Sequence, residues 1–358
     1  RIFSPQEVGK YSCKIGEIIE TVKKSKGVII IYSQYIYGGC IPIALALEEL
    51  GITRYGKNSL FKDKPTEDVD ALTMKKKSEM EPGQKFSSAK YAMITGDNRL
   101  SPNNKKELKA CTDAKNINGE TIKIIIISKA GSEGLDFKNV RQVHILDPWY
   151  NLFRLEQTIG RAIRNLSHCS LPYTKRNTQI FMYATHLGNS SDLITDEEAI
   201  DLYMYRNAEV KGIKIGKITR LLKENAIDCK LNYPQTHLSQ SNIFENFLDK
   251  TVQQELSTGD IIPDYRIGDK EYSIKCDFMK CDYKCNSGDV TDIDSTTYNE
   301  YFIKNNINTI INKIKDLYKK KYLYTKKQLV DEINYSKIYP ISQINSALKK
   351  LLSDKSEK

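Results

Sequence analysis

Short, continuous apolar runs alternate with amphipathic stretches along the first half of the chain. The runs lie at residues 27–34, 91–95, 121–128, 142–146 and 179–184, and helical patterns fall between them, notably at residues 41–50 and 155–164. Strands that are apolar at every position are typical of a parallel sheet covered by helices on both faces. The pattern therefore predicts an α/β fold built from βαβ units over residues 1–190.

A polar and charged stretch interrupts this alternation. Residues 61–90 read FKDKPTEDVDALTMKKKSEMEPGQKFSSAK. We expect so hydrophilic a segment to contribute no core layer, and we interpret it as a mobile surface insertion within the first domain.

The remainder of the chain has a mainly helical pattern. Thr195 and Glu198 stand at capping-box spacing before a periodic stretch that continues through Ile218. We expect a helical accessory region over residues 191–297. Over residues 298–358, two amphipathic helices near 326–333 and 342–352 are joined by a turn through Pro340, as in a small helix-turn-helix or winged-helix unit.

The net charge of the chain bears on the kind of partner that it binds. The 358 residues carry a formal net charge of +10, and residues 301–358 contain 13 Lys against 5 acidic residues. A polyanionic partner and an AT-rich genome both fit the lysine surplus. A solvated helix pair fits the tail as well as docking of nucleic acid or a partner protein does. Tyr318, Tyr322 and Tyr324 fit stacking on bases or packing against the domain.

No apolar run approaches the length that a membrane span needs, so we expect a protein without membrane contacts. The sequence also shows no signal peptide, which makes the cytoplasm the expected location, including a viral factory or virion if the source is viral.

Two motifs in one strand–loop–strand–helix context carry the chemistry. SKAGSEGLDF occupies residues 128–137, and QTIGRAIR occupies residues 157–164. A Gly-rich turn after a strand lets backbone amides approach phosphate, and helical spacing would place Arg161 and Arg164 on one face of a cleft. The chain has only 11 Arg against 44 Lys. A planar guanidinium suits a phosphate, although an isolated RxxR is more often an ordinary solvated helix pattern.

These strings resemble superfamily-two helicases. GSEGLDF is similar to motif V, QTIGRAIR to motif VI with its pattern QxxGRxxR, IIIYSQ (residues 29–34) to motif IV, and ITGD (residues 94–97) to a segment that contacts the nucleic-acid backbone. The resemblance covers about half of the chain. It implies the second, C-terminal RecA-like lobe of an ATP-dependent helicase or translocase.

Three further strings resemble a narrower group. RAIRNLSH (residues 161–168), KENAIDCKLN (residues 223–232) and CDFMKCDYKC (residues 276–285) are similar to large DNA-virus helicases, a group that includes the small subunit of the poxvirus early transcription factor and its asfarvirus and mimivirus-type relatives. This implies a role in viral transcription or DNA transactions. The alternatives are a transcription initiation or termination factor, in which DNA or polymerase binding dominates over unwinding, and the motor lobe of a restriction-type translocase.

The resemblance implies three sets of functional residues. The catalytic set is Arg161 and Arg164, as finger arginines, with Gln157 near the γ-phosphate. The nucleotide-sensing set is Glu133, Gly134, Asp136 and Gly160. The nucleic-acid set is Ser33, Gln34, Thr95, Gly96, Ser128 and Lys129. For each hydroxyl, capping of its own turn is an equally good interpretation.

The cofactors that the resemblance implies are ATP and Mg²⁺. The sequence contains no GxxxxGK[ST] loop and no suitable DExx box, so we expect both cofactors to be shared with an N-terminal RecA-like lobe of the same polypeptide, and this chain alone to be inactive. The implied partners are DNA or RNA, and a viral RNA polymerase or transcription factor subunit.

The eight cysteines fall into two groups. Cys13, Cys40, Cys111 and Cys169 are scattered and show no pairing pattern, which suits a reducing compartment. Cys276, Cys281 and Cys285 lie close together, and Cys229 is available as a fourth ligand, so a structural Zn²⁺ site is one interpretation. The spacing is not the usual CxxC, and free buried thiols are the alternative.

Overall fold

The computed structural model describes most of the chain, in two compact units. The described residues are 1–56, 59–102, 104–113, 115–129, 135–187, 198–236, 251–266, 268–286 and 300–354. The first unit extends from Arg1 to Ser287 and the second from Gly288 to Lys358.

A six-stranded sheet organises the first unit. Its strands are β1 (Val28–Tyr32), β2 (Thr53–Arg54), β3 (Lys90–Ile94), β4 (Ile124–Ile127), β5 (Val140–Ile145) and β6 (Gln179–Met182). Their order is β2-β3-β4-β1-β5-β6, and every neighbouring pair is parallel. The central strand β1 lies between β4 and β5, with Tyr32 beside both Ile127 and Ile145. Its five residues are all buried, as expected for a strand covered on both faces.

Helices cover both faces of this sheet. They are α1 (Val8–Tyr11), α2 (Cys13–Lys23), α3 (Ile41–Leu50), α4 (Asn104–Cys111) and α5 (Leu152–Ala162). Alternate residues of β1 point to opposite faces, so Ile29 and Ile31 pack with α2 and α3, whereas Ile30 packs with Leu155 of α5 and Cys111 of α4. The expected RecA-like α/β architecture is thereby confirmed.

The boundaries of α5 differ from the predicted helix at residues 155–164. The helix begins at Leu152 because the Asn151 side chain accepts a hydrogen bond from Phe153 N at 3.0 Å and caps the first turn. It ends at Ala162, and Ile163 is extended. Arg164 therefore lies beyond the helix, and the prediction of two arginines one helical turn apart is wrong in its geometry.

Residues 61–90 are attached to the core more firmly than their composition predicts. Val69 and Ala71 are buried in the cluster that packs on one face of the sheet. The carboxylate of Asp70 accepts hydrogen bonds from the backbone of Thr73 and Ser87 at 2.8 and 2.9 Å, which folds the segment back on itself. Burial alone would raise the pKa of Asp70, but these hydrogen bonds lower it. The expectation that the segment contributes nothing to the core is wrong, and its mobility stays a prediction.

The accessory region contains both helices and a hairpin. Its elements are α6 (Ile200–Asn225), α7 (Cys229–Thr236), β7 (Thr251–Glu255) and β8 (Ile261–Arg266). The two strands pair antiparallel across a turn in which Gly259 has a φ of +88°. Of the predicted capping box, Thr195 lies outside the described residues, while Glu198 pairs with Arg206 at 2.6 Å. None of the helices in the described residues combines the length and apolar content that a bilayer crossing requires.

The clustered cysteines form two disulfides. Cys229 is bonded to Cys285, and Cys276 to Cys281. A zinc ion requires thiolates, so sulfurs paired in this way are not available as ligands. Among the described residues, no group of three or more His, Cys, Asp or Glu could hold a metal ion. The structure therefore does not support the expected Zn²⁺ site, and it also differs from the alternative of free thiols.

The second unit is helical over residues 300–354. Its helices are α8 (Glu300–Lys304), α9 (Ile307–Lys320), α10 (Lys326–Ile333) and α11 (Ile341–Ser353). They enclose a core of their own that includes Ile310, Ile333 and Ile344. Thr325 and Gln328 form a reciprocal capping box at the start of α10. The two predicted helices are confirmed. Over residues 300–354 the structure contains helices and turns and no strand that could form a wing.

Candidate functional site

Three neighbouring strands end in a hydroxyl residue at the carboxyl edge of the sheet. Thr95 follows β3, Ser128 follows β4 and Ser33 follows β1. The backbone continues the sheet register here, since Ser128 N donates to Ile94 O at 3.1 Å and Ser33 N donates to Ile127 O at 3.2 Å. The three residues thus lie side by side. The carboxyl edge of a parallel sheet is where such folds bind their ligands.

The three hydroxyls differ in how their hydrogen bonds are used. Thr95 Oγ1 lies 2.9 Å from Ser101 Oγ, and Ser33 Oγ donates to Asp147 Oδ2 at 2.5 Å. Gly39 packs so closely on Ser33 that a Cβ at this glycine would lie 1.9 Å from the hydroxyl. Ser128 Oγ is buried and has no hydrogen-bond partner. Ser33 Oγ also accepts from Tyr35 N at 3.2 Å, and Thr95 Oγ1 accepts from Asp97 N at 3.4 Å, so the capping interpretation accounts for these two residues, whereas Ser128 keeps an unused hydroxyl.

The other predicted nucleic-acid residues lie at the same edge. Gln34 is half-buried. Its Oε1 lies 3.5 Å from Arg154 Nη1, and its Nε2 has no hydrogen-bond partner. Gly96 and Lys129 are exposed directly after β3 and β4. Their binding role stays a prediction, but the structure does bring the predicted residues together.

The two arginines of the second motif converge on the segment that follows β4. Arg161, in the last turn of α5, donates from Nη1 to Leu135 O at 3.2 Å, and its Nε is buried without a partner. Arg164 lies past the helix, with Nη1 at 3.7 Å from Asp136 Oδ1. Both side chains of this ion pair are about half exposed. The arginines therefore share one neighbourhood, through contacts with residues 135–136 and not through a common helix face.

The structure describes only some of the other residues that were predicted to contact the bound nucleotide. Gln157 is exposed on α5, and the carbonyl oxygen of Gly160 accepts a hydrogen bond from Arg164 Nε at 2.9 Å. Glu133 and Gly134 lie outside the described residues. Of the predicted motif V residues, Asp136 alone can be placed, at the ion pair with Arg164.

Asp147 and Arg154 belong to this edge, although the sequence interpretation did not select them. The Asp147 carboxylate, just after β5, accepts hydrogen bonds from Ser33 Oγ and from Gln34 N at 3.2 Å. Burial raises the pKa of Asp147, and the bond from Ser33 opposes that shift. Arg154 stacks on the Trp149 ring at 3.9 Å. The signal was available, because DPW follows a buried parallel strand directly.

The side chain of Arg161 has a donor that fits a phosphate ligand. A buried guanidinium nitrogen without a partner can donate to an anionic oxygen. No group of three or more His, Cys, Asp or Glu that could hold a metal ion is found in the described residues.

Residues 60–166 match the family model described as the helicase conserved C-terminal domain. The match includes β3, β4, β5, α5 and both arginines. This part of the chain is a superfamily-two helicase C-terminal lobe. The matched range ends at residue 166, two residues after Arg164, and therefore includes all of the string that resembles motif VI.

Similar proteins occur in several large DNA viruses. "Putative helicase 087L" of Invertebrate iridescent virus 3 is 30% identical over 227 residues, which cover 62% of this chain and 21% of the relative. "Termination factor NPH-I homolog" of African swine fever virus (isolate Tick/Malawi/Lil 20-1/1983) is 31% identical over 239 residues, 62% of this chain and 33% of the relative. "Putative ATP-dependent RNA helicase L377" of Acanthamoeba polyphaga mimivirus is 26% identical over 292 residues, 73% of this chain and 23% of the relative.

The expected likeness to asfarvirus and mimivirus-type helicases is confirmed by these matches. The chain spans a third or less of the length of each of these relatives. The helicase lobe is therefore identified as a domain, and the activity of the whole protein is a separate question.

Proposed function

We propose that the chain supplies the C-terminal motor lobe of an ATP-dependent nucleic-acid helicase or translocase. ATP and Mg²⁺ would lie between this lobe and an N-terminal RecA-like lobe of the same polypeptide, which contributes the Walker loop and the acidic box. The observation that carries the proposal is the convergence of Arg161 and Arg164 on residues 135–136, within the region that matches the helicase C-terminal domain.

The two arginines would act as fingers. Each guanidinium carries a permanent charge in a planar fork that can donate two hydrogen bonds to phosphate oxygens. Arg161 is held by a single backbone carbonyl and keeps Nε unused. Arg164 is half exposed, and its ion pair with Asp136 is long enough to exchange for another anion. Closure of the two lobes would bring both charges to the phosphate that is cleaved, where negative charge develops.

The carboxyl edge would hold one nucleic-acid strand by its backbone. Ser128 Oγ and the exposed Lys129 lie at this edge as donors for phosphate oxygens. Contacts of this type go to phosphate oxygens and carry no sequence information. The grip would therefore suit a motor that moves along DNA or RNA of any sequence.

The decisive experiment measures nucleic-acid-stimulated ATP hydrolysis by the intact protein that carries both lobes. We expect Arg161→Ala and Arg164→Ala each to lower kcat by about 10³-fold or more, as for other arginine fingers. Arg176→Ala is the matched control. Its guanidinium donates to Leu171 O at 2.8 Å and to Cys169 O at 3.2 Å in the loop before β6, and not to residues 135–136, so we expect wild-type hydrolysis. Wild-type hydrolysis by the Arg161 and Arg164 variants would contradict the finger assignment.

A second candidate function is favoured by the name of the African swine fever virus relative, which is a termination factor. In this alternative the protein is a subunit of a viral transcription factor, and binding of DNA or of a viral RNA polymerase dominates over unwinding. Strand-displacement assays with and without a polymerase partner separate the two. Unwinding by the protein alone favours the helicase, and ATP-dependent release of a transcript without unwinding favours the transcription factor.

A further inference from the structure

The connection between α9 and α10 carries a dense positive charge in the second unit. Residues 318–327 read YKKKYLYTKK and contain five Lys and no acidic residue. Asp316, one turn earlier on α9, pairs with Lys319 at 2.8 Å. Like charges so close together repel one another and destabilise the free protein. A polyanion that binds here would relieve this repulsion.

Two apolar side chains project from the middle of this charged connection. Tyr322 is 98% exposed and Leu323 is 78% exposed. The neighbouring Tyr324 behaves differently, because its hydroxyl donates to Leu317 O at 3.0 Å and its ring meets Tyr318 edge to face at 5.5 Å. The packing interpretation therefore accounts for Tyr318 and Tyr324 but leaves Tyr322 without a structural role in the described residues.

The backbone that presents Tyr322 is fixed on both sides. The anchored ring of Tyr324 holds the C-terminal side, where the capping box of Thr325 and Gln328 starts α10. On the other side, α9 extends to Lys320 and buries Ile310 and Ile314 in the core. A rigid support lowers the entropy lost when an exposed side chain binds a ligand. Tyr322 is thus displayed between lysines at little conformational cost.

We propose that residues 318–327 form a binding surface for single-stranded nucleic acid. Lys320 and Lys321 contact consecutive phosphates, and the ring of Tyr322 stacks on an unpaired base. Basic side chains interleaved with an exposed aromatic ring are the two elements that single-strand binding requires, since the charges hold the backbone and the ring holds a base face. This surface lies on a unit with its own core and does not depend on the motor assignment.

The test measures binding of a fluorescent oligothymidylate of about 12 nucleotides to the 358-residue chain by anisotropy. We expect Tyr322→Ala to weaken binding roughly tenfold and Tyr322→Phe to stay within about twofold of wild type, because the ring is what stacks. Tyr335→Ala is the matched control, since Tyr335 is 92% exposed on another turn of the same unit. It should bind like wild type.

Two matched pairs of lysine variants test the electrostatic contribution to binding. The double variant Lys320→Ala, Lys321→Ala should lower the slope of log Kd against log salt by about 1.4, because each of the two lost phosphate contacts contributes about 0.7 for a single strand. Lys349→Ala with Lys350→Ala removes the same charge from α11 and should leave the slope unchanged. A single strand containing 5-iodouracil, irradiated and mapped by mass spectrometry, should cross-link at Tyr322, and this readout separates the surface from any binding by the helicase lobe.

Three results would overturn the proposal. One is wild-type affinity of Tyr322→Ala together with cross-links confined to the helicase lobe. Another is an equal loss of affinity in both lysine pairs, which would mean a diffuse charge effect. The third is binding to phosphatidylserine vesicles that Tyr322→Ala abolishes while oligothymidylate affinity stays unchanged, which would assign the surface to a membrane.

Discussion

The two edges of the six-stranded sheet differ in how well their buried polar atoms are satisfied. At the carboxyl edge, the buried atoms Gln34 Nε2 and Ser128 Oγ have no hydrogen-bond partner in the described residues. At the amino edge, the side chain of Asn116 makes three hydrogen bonds to the loop before β4, and Lys123 Nζ donates to Ser25 O at 3.2 Å. Unsatisfied buried groups cost stability, and a ligand can restore their bonds. The comparison is the reason that we propose the carboxyl edge as the side of the sheet that binds a ligand, while the amino edge supports the fold.

The difference is one of degree. Asn139, at the amino edge just before β5, has an unpartnered Oδ1 and a φ of +58°. Its backbone N–H nevertheless donates to Ser167 O at 3.0 Å, which ties the residue to the loop after α5. Asn139 is therefore held by its backbone, whereas the open Gln34 Nε2 and Ser128 Oγ lie among the predicted nucleic-acid residues at the carboxyl edge.

The largest effect on stability should come from Asn116. Its Nδ2 donates to Ile122 O at 2.8 Å, and its Oδ1 accepts from Thr121 N and Ile122 N. Asn116→Ala leaves these buried backbone groups without partners, and we expect the free energy of unfolding to fall by about 3 kcal/mol. Urea denaturation followed by circular dichroism measures the loss. Asn118→Ala is the control, because Asn118 is half-buried and bonds the Glu120 side chain, and it should cost less than about 1 kcal/mol. Equal losses would contradict the assignment of Asn116 as the main support of this edge.

The sheet could be predicted from sequence to the extent that burial leaves a pattern. Residues 28–32 and 124–127 are apolar throughout because β1 and β4 are covered on both faces, and the predicted runs at 27–34 and 121–128 contain both strands. The sequence pattern does not predict β2, because a strand of two residues is too short to show a period. The pattern does not predict the hairpin β7–β8 either, because its strands are largely exposed and their apolar and polar residues alternate only weakly. Strand prediction thus succeeded where the core imposed it.

The candidate site could be predicted only in outline. The spacing of the motif predicts that Arg161 and Arg164 lie on one face of a helix. In the structure α5 ends before Ile163, and the two arginines converge because both contact residues 135–136. The bond between Ser33 and Asp147 joins residues 114 positions apart, and no local pattern encodes it. Tertiary hydrogen bonds decide which hydroxyls are used and which remain open.

The amino edge should also show a distinct dependence on pH. Burial lowers the pKa of Lys123 from 10.5 to about 8, and Asp70 and Glu120 oppose the shift. Between these two values the unfolded chain binds more protons than the folded protein, so the free energy of unfolding rises as the pH rises through this window. From pH 8 to pH 9.5 we expect a gain of about 1.5 kcal/mol in wild type relative to Lys123→Met, which has no charge to lose. Parallel pH profiles of the two proteins would show that Lys123 is ordinarily solvated.

Ser128→Ala should have the smallest effect on stability and therefore tests the carboxyl edge most sharply. The hydroxyl is buried without a partner, so its removal breaks no hydrogen bond, and we expect the free energy of unfolding to change by less than about 1 kcal/mol. Ser101→Ala is the matched control at the same edge. Ser101 Oγ donates to Met93 O at 2.6 Å and accepts from Thr95 N, so its loss should cost about 2 kcal/mol.

The two serine variants should exchange their order when nucleic-acid affinity is measured instead of stability. If Ser128 Oγ donates to a backbone phosphate, Ser128→Ala in the intact two-lobe protein should weaken binding about fivefold, close to the 1 kcal/mol of a typical hydrogen bond. Ser101→Ala should bind as wild type at a temperature where it is folded, because its hydroxyl is already occupied. A Ser128 variant with reduced stability and unchanged affinity would mean that both edges of the sheet serve the fold alone, and that the open hydroxyl does not mark a binding site.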